Sequence, residues 1–330
     1  MKRLLKIREL SSFLFLVALF VLVGILNPSF LTADNIVACF NDSVVYILIS
    51  VGMAFAIIVG EIDVSVGANL GFTATVVSCM LRDGQNWAFA FITGILIGVL
   101  FGLFNGWGVA VMGVPSLIFT LGTNGVMRGM MYVYTGGAWV ENLPASFKQL
   151  YTNTFIGNIS ICFTVTAIAV VIVHLLLKNT KRGRYFTAVG DNPGGATLVG
   201  IPAVQTKVVA YVICGIFAAI SGIVFSSRIG FITATSGNGY EMKAVAACVL
   251  GGISLSGGVG SVIGASIGAV IMASISRLLV FMELGSTYDD TITGIMLITI
   301  VVVDALMQKR TAEKNRRERL AARTAGKEEM

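Results

Sequence analysis

Two polar stretches interrupt an otherwise oily chain, and they are where chemistry could reside. The first, VGEIDVSVGAN at residues 59–69, sets Glu61 and Asp63 between two apolar runs. A carboxylate held in hydrocarbon costs at least about 2.5–3.5 kcal/mol, so such a group must face a cavity, a partner or the interface. Gly60 and Gly67 permit a backbone break there. Two readings are open: an ion site or substrate path, and a tight turn whose acids cap the helix that follows. The turn is preferred. The second stretch, GVPSLIFTLGTNGVMRGMMYVYTGG at 113–137, places Ser116, Thr120, Thr123 and Asn124 on one helical face, which Arg128 continues. Pro115 opens that helix. A polar stripe along a span suits an aqueous path or an interhelical hydrogen-bond seam. Either needs polar neighbours, for which Asn69 and Asn105 are the candidates.

Catalytic constellations are not evident. No GxxxxGK[ST] occurs, so the chain carries no P-loop. SGGVGSVIG at 256–264 has the wrong glycine spacing for a nucleotide site. Cys39, Cys79, Cys162, Cys214 and Cys248 are scattered without a CxxC pair, which argues against a disulfide or metal framework. The single His174 lies in an apolar run with no carboxylate nearby and reads as structural. No bound cofactor and no metal are expected.

The elements that must position these residues are helices in a membrane. The chain has 330 residues, 56% hydrophobic and 12% charged, where a soluble domain carries about 25% charge. A helical span needs about 20 apolar residues. Ten candidate spans are read at about 11–27, 44–60, 66–81, 87–106, 115–135, 156–177, 206–227, 244–257, 262–281 and 288–307. The third and eighth are short and are expected to be tilted, broken or re-entrant. The fold class is therefore all-α, a polytopic membrane protein. No small-x-small cleavage site follows the first apolar run, so no cleavable signal is expected.

Orientation follows from the basic residues. With a cytoplasmic N-terminus, seventeen of the 23 Lys and Arg lie inside: four at 1–10, five in the stretch KNTKRGRYFTAVGDNPGGATLVGIPAVQTK at 178–207, and eight in the tail at 308–330. Both termini are thus cytoplasmic and the transmembrane body spans 11–307. The net charge of +6 calls for no nucleic acid, and the tail faces anionic lipid or cytosol. Gly94, Gly98, Gly102 and Gly106 line one helix face, and Gly264 and Gly268 repeat the spacing. Such faces let helices approach closely, here within one subunit in preference to between subunits.

The basic stretch contains a helix signal. Asn192 can cap, Pro193 suits the first turn, Ala196, Thr197, Leu198 and Val199 continue it, and Gly200 stops it. Gly194 and Gly195 weaken it by about 0.5–1 kcal/mol each relative to Ala. From the residues alone, a plain topology-setting loop and a docking helix are equally open.

Four stretches, GEIDVSVG (60–67), GVPSLIFTLGTNGVMRG (113–129), GRYFTAVGDNPGGATLVGI (183–201) and GYEMKAVAACVLGGISLSGGVGSVIG (239–264), resemble in order the permease subunits of bacterial ABC importers for monosaccharides, the ribose/galactose/xylose/autoinducer-type group. The resemblance covers nearly the whole chain. It implies a second permease copy or paralogue, cytoplasmic ATPase subunits that hold ATP and Mg, and an extracytoplasmic sugar-binding protein. It also implies that the loop at 178–206 carries a coupling helix, with Asn192, Pro193, Gly194, Gly195, Ala196, Leu198 and Gly200 as the ATPase-coupling residues. The chain departs from the family at Gly194–Gly195, where many relatives carry alanines. The expected path residues are Asp63, Asn69, Asn105, Ser116, Thr120, Thr123, Asn124 and Arg128. The alternative is an ion-coupled secondary transporter using Asp63 as its ion site.

Overall fold

The computed structural model describes residues 8–282, 288–299 and 301–302. Lys2, Arg3, Lys6 and the tail at 308–330 lie outside the described residues, as does part of the last predicted span at 288–307.

Helix α11 (Ala203–Ile229) is the central strut, and α3 (Val44–Ile58), α4 (Val66–Arg82) and α5 (Trp87–Gly106) pack around it. The glycine face of α5 makes this possible. A Cβ at Gly98 would meet the Gly215 carbonyl, one at Gly102 would stand 2.6 Å from the Tyr211 carbonyl oxygen, and one at Gly106 would stand 2.9 Å from Val208 Cα. Gly215 is reciprocally pressed on the Gly98 carbonyl. The second glycine pair acts alike: on α13 (Val262–Phe281), Gly264 and Gly268 lie against the backbone of Gly251 and Ala247 at the end of α12 (Tyr240–Leu250). Both faces are thus used inside this chain.

Around this core stand α1 (Arg8–Leu26) against α13, α2 (Ala33–Asp42), α6 (Ser116–Thr135) against α4, α7 (Ala145–Thr152), and α8 (Ile161–Asn179). Among the described residues four helices are long and apolar enough to cross a membrane, Trp87–Val111, Ile161–Asn179, Ala203–Ile229 and Val262–Phe281. Helices α2 and α3, bent by 42°, form a fifth as a pair. At the bend the Ser43 hydroxyl donates to the Phe40 carbonyl at 2.6 Å, a local bond that competes with the helical ladder.

Three predicted boundaries move. The sixth span starts at Ile161, because Thr154–Ile156 and Ile159–Ser160 pair as a short hairpin. The eighth is helical only over Tyr240–Leu250 and gives way to an irregular segment at 251–261. The stretch at 178–206, expected as a polar loop with one helical piece, is mostly helix: α9 (Lys181–Asp191), α10 (Pro193–Leu198) and the first turn of α11. Thr180 starts α9, its hydroxyl accepting from Gly183 N–H at 2.9 Å.

Two breaks interrupt the bundle, at 59–65 between α3 and α4 and at 251–261 between α12 and α13. They meet. Gly258 N–H donates to the Ile58 carbonyl at 2.9 Å, and a Cβ at Gly257 would stand 2.9 Å from Gly60 Cα. Gly60 (φ +84°) and Gly257 (φ +82°) both adopt left-handed backbone, which lets the two chains turn away from each other at the contact.

Candidate functional site

The polar face of α6 holds the first break in place. Ser116 Oγ accepts from Ile62 N–H at 3.5 Å, Thr120 Oγ1 accepts from Val64 N–H at 3.1 Å, and Asn124 Nδ2 donates to the Val64 carbonyl at 2.9 Å. Non-helical backbone at membrane depth is tolerated only where its polar groups are satisfied by protein or cavity water. The stripe supplies that satisfaction, so it is a hydrogen-bond seam whose partners are main-chain groups. Asn69 and Asn105 are not those partners. Asn69 donates to the Gly215 carbonyl on α11 at 3.2 Å, and its Oδ1 accepts from Thr73. Asn105 faces Asp63 and Ser65 from α5. Thr123 leaves the stripe as well, donating to its own helix at Phe119. Arg128 reaches further, its Nη1 donating to the Ser236 carbonyl at 2.6 Å.

The acids of the break do not cap α4. Asp63 is 2% exposed, and its Oδ1 accepts from the Ser65 N–H at 2.9 Å and the Ser65 hydroxyl at 2.6 Å. Asn105 Nδ2 stands 3.3 Å from both carboxylate oxygens and 2.8 Å from Ser65 Oγ. The α4 N-cap residue, Ser65, makes no side-chain capping bond. Glu61 instead pairs with Lys207 at the start of α11. Asp63 thus shapes the break from within while Glu61 ties it to α11. Among the described residues no group of three or more His, Cys, Asp or Glu could hold a metal ion. The five cysteines are free and buried.

A consequence follows for Asn124. Replacing it by leucine orphans the Val64 carbonyl inside the bundle, at about 1–3 kcal/mol. Asn124→Leu is expected to lower uptake several-fold at equal membrane level. Uptake assays normalised to the membrane content of the protein check this, and unchanged uptake returns the seam to ordinary packing.

At the other end of the break sits the α9–α10 elbow. Asn192 Oδ1 accepts from Gly195 N–H at 2.9 Å, Pro193 occupies the first turn, and the Ile201 N–H returns to the Ala196 carbonyl at 2.9 Å past Gly200 (φ +82°). That is a capped helix closed by a left-handed glycine. Its faces differ from expectation. Ala196 is buried inside this chain, whereas Leu198 is 90% exposed and Val199 75% exposed. Gly194 is open, but a Cβ at Gly195 would stand 3.0 Å from Asn192 Nδ2, so the capping side chain occupies its place. The elbow is seated through α9. Phe186 packs edge-on to Phe55 with ring centres 5.1 Å apart, Val189 is buried, and Gly190 lies directly on the Ile58 carbonyl and on Gly258 N. One small helix face therefore touches both breaks.

Several polar residues escaped the sequence reading. Asp42 binds both Arg228 and Arg277, at 2.8 and 2.7 Å. Lys243 pairs with Asp289 beside the stacked rings of Tyr46 and Tyr240. Glu241 is buried in the first turn of α12. Asp42, Arg228 and Glu241 sit at helix ends, where an isolated charge reads as ordinary, and the ion-pair partners lie 46 to 235 residues apart.

The profile of the family described as branched-chain amino acid transport system / permease component matches residues 35–301. The Autoinducer 2 import system permease protein LsrC of Enterobacter sp. (strain 638) is 41% identical over 309 residues, covering 94% of this chain and 90% of that protein. The proteins of the same name from Salmonella typhi and Escherichia coli O9:H4 (strain HS) are 38% and 39% identical, covering 95% of this chain and 90% and 92% of their own lengths. No solved structure matches the chain.

Proposed function

The chain belongs to the branched-chain amino acid transport system / permease component family, and from that premise we propose that it is the permease of an ATP-binding-cassette importer for a monosaccharide or a related small polyol. It is a multi-pass protein of the bacterial inner membrane. In this reading the solute is delivered by an extracytoplasmic binding protein, a second permease copy or paralogue completes the pore, and partner ATPase subunits carry ATP and Mg. The relatives' name makes autoinducer 2 the first solute to test. The α9–α10 end faces the cytoplasm, because Lys178, Lys181, Arg182 and Arg184 cluster there, and both termini lie on that side.

One observation carries the proposal. A capped six-residue helix holds Leu198 and Val199 out in solvent, although nothing in this chain covers them among the described residues. Two adjacent exposed aliphatic side chains on a braced helix form the anchor of a docking contact. ATP binding closes the ATPase pair and displaces α10. Helix α9 passes that displacement to Ile58 and Gly258, hence to both breaks, and the bundle opens alternately to either side. The few charges along the path suit a neutral cargo whose selection is made by the binding protein.

The test is Leu198→Asp. An apolar anchor lost from such a contact costs about 2 kcal/mol or more, and a charge in its place adds desolvation. The cognate ATPase is expected to be lost on co-purification and uptake to fall to background, with the permease still in the membrane. Retention of both ATPase and uptake overturns the docking role. Ala196→Glu does not serve here, since Ala196 is buried within the chain and its loss disturbs the elbow itself.

A further inference from the structure

We propose that Glu241 and Arg128 form the station inside the bundle at which a neutral polyhydroxylated solute is held during transport, an inference that rests on the permease reading above. After α11 ends at Gly230, the chain pairs Ile232 with Val140, then turns through Gly237 (φ +77°) and Gly239 (φ +80°) into α12. That turn lies on α4. The Ser236 and Gly237 carbonyls rest on Gly71 and Gly67, one helical turn apart, the second at 2.6 Å from where a Cβ would be. Glycine at both positions is what admits the turn so far into the bundle.

Two charged groups flank this turn, and each is left half-satisfied. Glu241 is 9% exposed. Its Oε1 lies 3.4 Å from the Gly239 N–H, while Oε2, directly over Gly67, is buried with no hydrogen-bond donor among the described residues. Beside it the Gly237 carbonyl receives, among the described residues, a single long bond of 3.4 Å from Tyr240 N–H. From α6, Arg128 spends Nη1 on the Ser236 carbonyl, while Nη2 is buried with no acceptor among the described residues. Leaving buried charged atoms without partners is expensive, and native structures retain such atoms where something else completes them. Here the missing groups are a donor at Glu241 and an acceptor at Arg128. A hydroxyl group supplies either, and a molecule with several hydroxyls supplies both. The opposite charges of the two residues cancel, so a neutral solute is preferred over an ion of either sign. The expectation that Arg128 lines the path is thereby extended to a second residue on a different helix.

The experiment uses the complete importer, permease with ATPase and binding protein, reconstituted in proteoliposomes. Labelled D-ribose, D-xylose, D-galactose and autoinducer 2 are the probes, and solute taken up per ATP hydrolysed is measured at saturating binding protein. Glu241→Gln keeps the shape and removes the charge. Arg128→Lys keeps the charge and replaces the planar fork, whose two nitrogens reach different acceptors, with a single ammonium. Each is expected to lower uptake at least tenfold while ATP hydrolysis stays within twofold of wild type. Wild-type uptake in both variants overturns the station, as does a parallel loss of uptake and ATP hydrolysis, which marks a structural role. If Glu241→Gln does not reach the membrane, Arg128→Lys is read alone, and failure of both to insert also overturns it. Recovery by the exchanged pair Glu241→Arg with Arg128→Glu shows a direct ion pair in another conformation and overturns it too. So does wild-type uptake that collapses with a sodium or proton gradient. Wild-type protein that carries none of the four probes refutes the proposed function instead.

Discussion

Gly190→Ala is expected to lower uptake at least tenfold while the permease stays in the membrane and keeps its ATPase. Gly190 sits near the end of α9, where an added Cβ would drive into the Ile58 carbonyl oxygen and stand 2.5 Å from Gly258 N. Those two groups are bonded to each other at 2.9 Å, so the methyl would wedge the contact between the two breaks. Both obstacles are backbone, which cannot rotate away as a side chain can. Helix α9 must therefore lift, and Phe186 loses its edge-on seat against Phe55. The exposed side chains Leu198 and Val199 are untouched, so under the proposed docking role assembly survives and only transmission fails. Gly194→Ala is the control. Its nearest neighbour, Asn192 Oδ1, is 3.6 Å away, and alanine favours the helix by about 0.5–1 kcal/mol, so uptake is expected at wild-type level. Co-purification and proteoliposome uptake measure the two halves separately. A Gly190→Ala permease that transports normally would mean that α9 is not the link.

Gly98→Leu is expected to remove the protein from the membrane altogether. In lipid, helices are held together by close van der Waals packing and hydrogen bonds, without a hydrophobic drive between them. Gly98 and Gly215 are in mutual backbone contact, and Ala219 Cβ lies only 2.8 Å from where a Cβ of residue 98 would be. Overpacking in a soluble core costs about 1–3 kcal/mol when side chains can adjust. Here the partner is a carbonyl, so α5 and α11 must separate along their length. Separation also endangers the bond from Asn69 to the Gly215 carbonyl, because α4 packs on the same strut. Membrane content by immunoblot and the midpoint of thermal aggregation in detergent provide the readout. Gly122→Leu on α6, with no atom of the described residues beyond its own helical neighbours within 4 Å of its Cβ position, is the comparison and should accumulate normally. Equal levels of the two variants would place the α5 glycine face at another subunit instead.

These outcomes separate what a local pattern specifies from what it leaves open. The helix at 193–198 was legible because each of its signals acts within one turn: Asn192 satisfies the Gly195 N–H, Pro193 presets φ, and Gly200 takes the left-handed stop. Which side of that helix docks was not legible. Six residues show too little periodicity to define a face, and only packing within the chain buries Ala196 and leaves Leu198 outside. The sequence of helix α9 resembles a loop because it is polar and carries two glycines, yet Gly183 and Gly190 are there to meet the backbones of α8 and α3.

The all-helical membrane class, the spacing of the α5 glycines, the polar stripe of α6 and the break near Asp63 are written in local sequence, since hydropathy, period and glycine content are properties of neighbouring residues. The partners come from folding. Asn124 bonds Val64 60 residues away, Lys207 pairs with Glu61 across 146, and Arg128 reaches Ser236 across 108. Glu241 reads in the sequence as an ordinary first-turn acid, and becomes notable only because Gly67 leaves space for its carboxylate inside the bundle. A donor or a charge is recorded in one residue, but whether it is satisfied depends on groups brought near it by folding, and that is set by how the helices pack.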